Sequence, residues 1–566
     1  MIFLRMKRES GIIHIIFILL FVTSIICVIA LGIIFYRDYA RNELISTPLA
    51  QNSVSKPWVR SFSPLRTFYV SPSGTGAGHT MADPMSLRSA VVNSMPGDLY
   101  YLLEGEYVPD VAGESMRGTL LLSGVGTEEN PIVYRAFPGH RAVIMGNVSI
   151  GSSALSEESG KYNWVWGLEI TDPQNSVDVG REQGSGLVMF SEGSTAINNI
   201  IHDQALKNGI GAWGNPLGNG YDTGTLRNHV VYGNIVYRNG LGTNTSQCNS
   251  APNHNVYGHH SYADDNGITY GYRYFVDNII FDAAEDCGKS KNILMRSSAG
   301  EVSGFYLDGN VIFNGGVAAN PEGRPSYNMK FQSNWLVDSH FLIGGRPFQG
   351  EIIGNTLINT VLEIQSLWGN EPSIPRTVGN TVVRNNKIYS DTYTYQIITA
   401  IKSDASSSGQ APIRSSDVWD YNVYGPFALN EPHFRAGVIA NGRTLNSGHT
   451  QSLEAFRQAT RGIRFSSPEG LDASSSVVGK PASVDYKLIR NVYDQDLSYL
   501  VVYNWSSQAS VTLNLQRELP SARRVGVYSV HDMFGSPVVA ASPRNITIPL
   551  EGDSAYSIYV VRSISK

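Results

Sequence analysis

The chain has 566 residues, enough for two or three domains and a large buried core. Only 16% of its residues are charged and the net charge is −5, so no basic excess exists to neutralise phosphates, which argues against a nucleic-acid partner. Gly (56) and Tyr (30) are abundant, a balance suited to a β-rich chain with many tight turns.

From Gly11 to Tyr36 the chain is almost wholly apolar, interrupted by His14, Thr23 and Ser24. Roughly 20 apolar residues in a helix span the hydrocarbon of a bilayer. Arg5, Lys7 and Arg8 precede the run, so residues 1–10 stay cytoplasmic and everything after Tyr36 lies outside. A cleaved signal peptide is the alternative, but its apolar core runs only about 7–15 residues before a small-residue site. This run is longer. The sequence therefore predicts a single-pass membrane protein, anchored by a transmembrane helix at 11–36, with its main body extracytoplasmic (periplasmic or at the cell surface). Cys27 lies within the anchor, whereas Cys248 and Cys287 lie outside, as one disulfide or as two thiols. No Cys/His spacing points to zinc.

Residues 37–66 are polar, carry Pro48, Pro57 and Pro64, and read as a linker. Order begins at Thr67-Phe68-Tyr69-Val70. The glycines between Gly74 and Gly78 read as a plain turn, since the Lys-Ser/Thr of a P-loop is missing. Asp83-Pro84 is expected to open a short helix with Met85, Leu87, Ala90, Val91 and Met95 on its apolar face. Such a helix would cover the open end of a stack of strands.

A short motif then recurs: Asn, two or three apolar residues, and a polar turn. It starts at Asn199, Asn234, Asn278, Asn310, Asn334, Asn355, Asn386 and Asn422. The shortest spacings, 355 − 334 = 21 and 334 − 310 = 24, with longer ones elsewhere, are those of stacked coils carrying loop insertions. Asn tolerates the left-handed conformation at a sharp bend, and stacked amides about 4.8 Å apart form a hydrogen-bonded ladder. With Tyr69-Val70-Ser71-Pro72-Ser73-Gly74, Pro96-Gly97-Asp98 and Pro131-Ile132-Val133-Tyr134-Arg135-Ala136, these coils cover residues 67–430. This body resembles the right-handed parallel β-helix superfamily of pectate-lyase-like proteins. That resemblance is specific for fold and weak for reaction, because lyases, hydrolases, epimerases and binding modules share the scaffold.

After Tyr424 the motif stops. Residues 431–484 read as a connecting region with a short helix at 452–460, and 485–566 as a small antiparallel β-sandwich of short alternating strands. The expected fold class is thus all-β: one transmembrane helix, a capping helix, a right-handed parallel β-helix and a C-terminal β-sandwich.

In proteins that this chain resembles, the outer face of the third strand of each coil forms the substrate groove. The strands assigned there are Gly209–Trp213, Tyr257–Tyr262, Asn292–Arg296 and Tyr327–Phe331. Alternation turns Lys330, Asn328 and Arg296 outward, together with one of His259 and His260. On this assignment Lys330 and Arg296 stand within about 10 Å of each other. The loops nearby carry Asp264, Asp265, Asp282, Glu285 and Asp286, with Lys291 behind them. A uronate lyase needs a base, for which Lys330, Arg296 and Lys291 are candidates, and a cation on the sugar carboxylate. Ca²⁺ held by the loop carboxylates is the candidate cation. A glycoside hydrolase instead needs two carboxylates roughly 5–9.5 Å apart, which the same residues offer. Trp213, Tyr262 and Asn328 are the candidate sugar contacts. The expected function is action on a polysaccharide, with uronate lyase placed before hydrolase and non-catalytic polysaccharide binding as the third reading.

Overall fold

A computed structural model describes residues 56–564 apart from 110–117, 153–157, 174–184, 206, 214–227, 241–252, 260–271, 284–289, 297–301, 320–325, 345–347, 367–377, 391–396, 402–417, 428–433, 437, 441–442, 446–449, 462–470 and 551–554. The chain divides into two compact units, Met1–Val59 and Arg60–Lys566. The expected anchor at 11–36, all three cysteines, His260, Tyr262, Asp264, Asp265, Glu285 and Asp286 lie outside the described residues. Among the described residues, no helix is long and apolar enough to cross a membrane.

Among the described residues three sheets of twelve strands each dominate the second unit. The chain visits them in fixed rotation, as in Ile132–Ala136, Ala142–Met145 and Asn147–Ile150 for the first, second and third sheets. Strands pair in parallel with their counterparts one coil earlier, as Val133 with Leu99 and Ile144 with Tyr107, except that Thr450–Gln451 at the end of the third sheet pairs antiparallel with Phe434–Ala436. The architecture is a right-handed parallel β-helix. Its interior is built of stacked columns; Val231, Phe275, Leu307, Phe331, Ile352, Val383 and Trp419 face one another across successive coils, all essentially buried.

The eight motif asparagines line up one above another, fully or almost fully buried. From Asn199 to Asn422, each Nδ2 donates to the Oδ1 of the next at 2.9 or 3.0 Å, and each backbone N–H donates to that same oxygen. Asn422 ends the ladder on Asp472 (2.8 Å) and Ser475 (2.8 Å). One detail differs from expectation. The left-handed residue is the one before each Asn: Asn198, Gly233, Asp277, Gly309, Ser333, Gly354, Asn385 and Tyr421 all have φ between 53° and 72°. The ladder residue must aim its amide along the helix axis, so its neighbour takes the bend.

The capping helix spans Leu87–Val92 and starts later than Asp83-Pro84 suggests. Ser86 is its N-cap, accepting from the Ser89 N–H at 3.1 Å. Pro84 and Met85 are extended instead, because Met85 bridges to the first strand through the Tyr69 carbonyl and the Ser71 N–H. Leu87 and Ala90 are buried as expected, whereas Met95 is 56% exposed. Part of the stretch read as linker is fixed: Arg60 donates to the Gly193 carbonyl and Thr195 Oγ1, both at 3.0 Å, and Phe62 packs on Trp164. Coil strands also continue past 430, with Phe434–Ala436 on the third sheet and Ser476–Val477 on the second; between them lies the helix Leu453–Arg461.

The described part of 485–564 forms a five-stranded antiparallel sheet and a two-stranded ribbon. Alternation along Leu497–Tyr503 buries both faces. Leu500 and Val502 pack against the ribbon residues Leu513, Ile546 and Ile548. Tyr499 and Val501 face Ile279, Phe281, Val311 and Phe313 on the outside of the second sheet. Lys487 pins the contact by donating to the bend carbonyls of Gly309 (3.0 Å) and Ser333 (2.7 Å).

One buried ion pair supports the early coils. Lys207 Nζ stands 2.8 Å from Asp172 Oδ2, with side chains only 4% and 3% exposed. Removing one partner of such a pair strands the other charge in an apolar interior. Lys207→Met should cost about 3 kcal/mol in a urea unfolding experiment. A loss below about 1 kcal/mol would show that Asp172 is satisfied by other groups.

Candidate functional site

The C-terminal sheet closes the outer face of the second sheet, and Phe62 lies on the early coils of the first. The outer face of the third sheet holds the largest group of the sequence-predicted site residues that are described.

A second ladder positions its strands. Asn239 donates to Asn255 (3.0 Å) and Asn255 to Asn292 (2.8 Å), so the strands Val256–His259 and Ile293–Arg296 each begin beside a buried asparagine. Gly209 leaves room for this: a Cβ there would meet Asn239 Nδ2 at 2.6 Å. His254 locks the corner further, its Nδ1 accepting the Lys291 backbone N–H at 2.9 Å and its own backbone N–H donating to Asn208 Oδ1 at 2.7 Å.

Strand alternation then sorts the side chains. Val256 and Gly258 face the core, where Gly258 packs against Phe305 and Met295. Tyr257 and His259 face outward, opposite Leu294 and Arg296 one coil on. Trp213 follows Ala212, the register partner of Gly258, and its ring sits 4.9 Å from His259 and 5.3 Å from Tyr257. Phe190, itself buried, backs Trp213 one coil earlier at 6.3 Å. Burial holds the Lys291 ammonium below its ordinary pKa. His254, buried and near Lys291 and Arg296, is pushed down to about 3 and is therefore neutral. The face thus combines aromatic rings with the guanidinium of Arg296, while the Lys291 side chain lies at the corner against Gly316.

The structure does not bring Lys330 to this face. Ser326–Gln332 is a first-sheet strand, with Lys330 between Tyr306 and Glu351 in register. Lys330 Nζ lies 3.8 Å from Glu351 and 5.7 Å from the Tyr272 ring. Met329 and Phe331 do face inward, so the alternation holds while the sheet differs. The coil's third-sheet strand is instead the short, uncharged Val317–Ala319. Asn328 belongs to the same first-sheet strand and takes φ 53° where the register shifts. Asp282 stands at the corner after Phe281 with φ 49°, and its Oδ1 accepts from Asn314 Nδ2 at 2.7 Å. That carboxylate is a turn residue. Among the described residues no group of three His, Cys, Asp or Glu side chains converges as a metal site, and of the five candidate Ca²⁺ ligands only Asp282 is described. Sequence reasoning missed Tyr257, Phe190 and His254. Tyr257 was the readable one, since it alternates with His259 on the same strand.

No family model matches the chain. No curated protein matches it either. Among solved structures it is similar to pectate lyase Pel9A, at 16% identity over 63% of this chain and 81% of that one, with TM-score 0.34. A mannuronic acid specific polysaccharide family 6 lyase from human gut microbiota gives 14% identity, 65% and 78% coverage and TM-score 0.37. XylC in complex with xylose gives 11%, 88%, 100% and 0.32. Likenesses this distant carry no argument about substrate or reaction.

Proposed function

We propose that the protein is a membrane-anchored, extracytoplasmic polysaccharide lyase acting on a uronate-containing polymer along the outer face of the third sheet. The observation that carries this reading is the contiguous strip of Trp213, Tyr257 and His259 beside Arg296, with Lys291 acting on His254, whose ring stacks on Tyr257. Trp213 and Tyr257 take the apolar faces of sugar rings. Arg296 pairs with the uronate carboxylate, which acidifies the adjacent C–H. Lys291, whose burial favours the neutral amine, takes that proton. The electrons of the C–H bond form the new C=C bond, the glycosidic C–O bond breaks, and His259 supplies a proton to the departing oxygen. The anchor rests on the apolar run Gly11–Tyr36 and its basic flank. Ca²⁺, if used, belongs to the loop carboxylates Asp264, Asp265, Glu285 and Asp286.

A second reading, binding without catalysis, is favoured by the aromatic strip alone. Incubating the full-length chain with uronate and neutral glycans, with added Ca²⁺ or with chelator, separates these readings. Absorbance at about 235 nm should rise on a uronate polymer as the unsaturated product forms. New reducing ends without that absorbance would replace the lyase by a hydrolase, and retention of glycan with neither signal would leave binding alone.

A further inference from the structure

A titratable cluster unrelated to the third-sheet face sits where the C-terminal sheet meets the second sheet. Both ring nitrogens of His202 face carboxylates: Nδ1 lies 2.7 Å from Asp203 Oδ2 and Nε2 lies 3.1 Å from Glu169 Oε1. Both contacts are hydrogen bonds only when both nitrogens carry protons, so the geometry asks for an imidazolium. Each carboxylate is also clamped by arginine. Arg141 holds Glu169 through two bonds of 2.7 Å, and Arg238 Nε holds Asp203 at 2.8 Å. His202 and Glu169 are only 15% and 5% exposed.

This cluster touches the C-terminal sheet through aromatic rings. His202 stacks on Tyr237 at 5.0 Å and an angle of 4°, and Tyr237 stacks on Phe281 at 4.9 Å. His531 of the C-terminal sheet sets its ring edge-on against both, at 5.4 and 5.2 Å. Phe534 receives Arg141 from the β-helix and Arg562 from its own sheet, and Asp532 acts electrostatically on Arg141. The charged and titratable groups around His202 are therefore Glu169, Arg141, Asp203, Arg238 and Tyr237 from the coils, with His531 and Asp532 from the C-terminal sheet.

We infer that His202 is a pH-operated latch that holds the edge of the C-terminal sheet around His531 against the second sheet when protonated and loosens it when neutral. A neutral imidazole keeps one N–H, so one carboxylate then faces a ring lone pair at hydrogen-bond distance and the ring must turn. Turning breaks the parallel stack on Tyr237 against which His531 rests. Burial alone would depress the His202 pKa, but hydrogen bonds to Asp203 and Glu169 outweigh it and raise it. Burial likewise pushes Glu169 up, but His202 and Arg141 outweigh it and hold it at about 2. A raised histidine contributes fully below its unfolded pKa, about 6.5, and loses its contribution as pH rises through the folded value. A depressed carboxylate contributes above its unfolded pKa, about 4.3, and loses its contribution as pH falls through about 2. The latch is thus tightest in mildly acidic solution and opens toward alkaline pH.

Hydrogen exchange of the full-length chain, corrected for intrinsic rates, tests this at the amides of Val527 to Met533. Protection should fall at least about tenfold between about pH 5.5 and about pH 8.5 in the native protein and stay level in His202→Gln. A step of equal size surviving in His202→Gln belongs to His531 and overturns the inference, as does the absence of a step in the native protein. Should His202→Gln fail to fold, Glu169→Gln removes one anionic partner and should move the midpoint to lower pH; an unmoved midpoint overturns the latch.

Discussion

Asn310→Ala should destabilise the β-helix by roughly 4–6 kcal/mol, the largest loss expected from any single polar substitution described above. Its Nδ2 donates to Asn334 Oδ1 (2.9 Å) and to the Phe275 carbonyl (2.7 Å). Its Oδ1 accepts from the Asn278 amide side chain (2.9 Å) and backbone N–H (3.0 Å). Four buried groups lose one partner each, at about 1–3 kcal/mol for a group left with none where water cannot replace it. Asn334 Oδ1 still accepts from the residue-310 N–H, and Asn278 Nδ2 still donates to the Val231 carbonyl. Part of that is recovered by relaxation, which sets the estimate below the simple sum. Guanidinium unfolding followed by circular dichroism gives the number directly. A fall in the midpoint without a change in slope is expected, and a loss under about 1 kcal/mol would mean the ladder is decoration on a stack held by its apolar columns alone.

The ladder was legible because its chemistry leaves a periodic trace: a position that must be Asn in every coil writes itself into the sequence. The positive-φ residue before it leaves a weaker trace, since Gly, Asn, Asp, Ser and Tyr421 all occupy it. Sheet assignment of Ser326–Gln332 depended on a rule the sequence contains but the motif's appearance hides. From Asn199 onward, each first-sheet strand ends two residues before its ladder Asn, as Ile197 precedes Asn199 and Gln332 precedes Asn334. Applying that offset places Lys330 on the first sheet. The long, charged strand drew attention from the three-residue Val317–Ala319, which carries no chemistry and so no signal. The His202 cluster was illegible for a different reason. Glu169, His202 and Arg238 are 33 and 36 residues apart (202 − 169 and 238 − 202), and only the parallel stacking of Glu169–Asp172, Ile200–Gln204 and Ile235–Tyr237 brings them together.

The relocation of Lys330 makes the activity experiment decisive between two maps of the same chain. Arg296→Ala removes the guanidinium proposed to pair with the uronate carboxylate, and Lys291→Met removes the amine proposed as base. On the polymer that responds in the absorbance assay, each should lower kcat/KM by about 10²–10⁴-fold, the range for losing a charge-stabilising or proton-transferring group. Lys330→Met should change it by less than about threefold, because its ammonium sits on another sheet beside Glu351. The pH profile adds an independent check. Burial lowers the Lys291 pKa, so the alkaline rise in rate that marks a lysine base should begin below the usual range for that side chain, about 10.4. Equal losses in Lys330→Met and Arg296→Ala would place the chemistry off the third-sheet face. A full loss in Lys330→Met alone would move it to the first sheet, where Tyr306 and Glu351 flank that lysine in register.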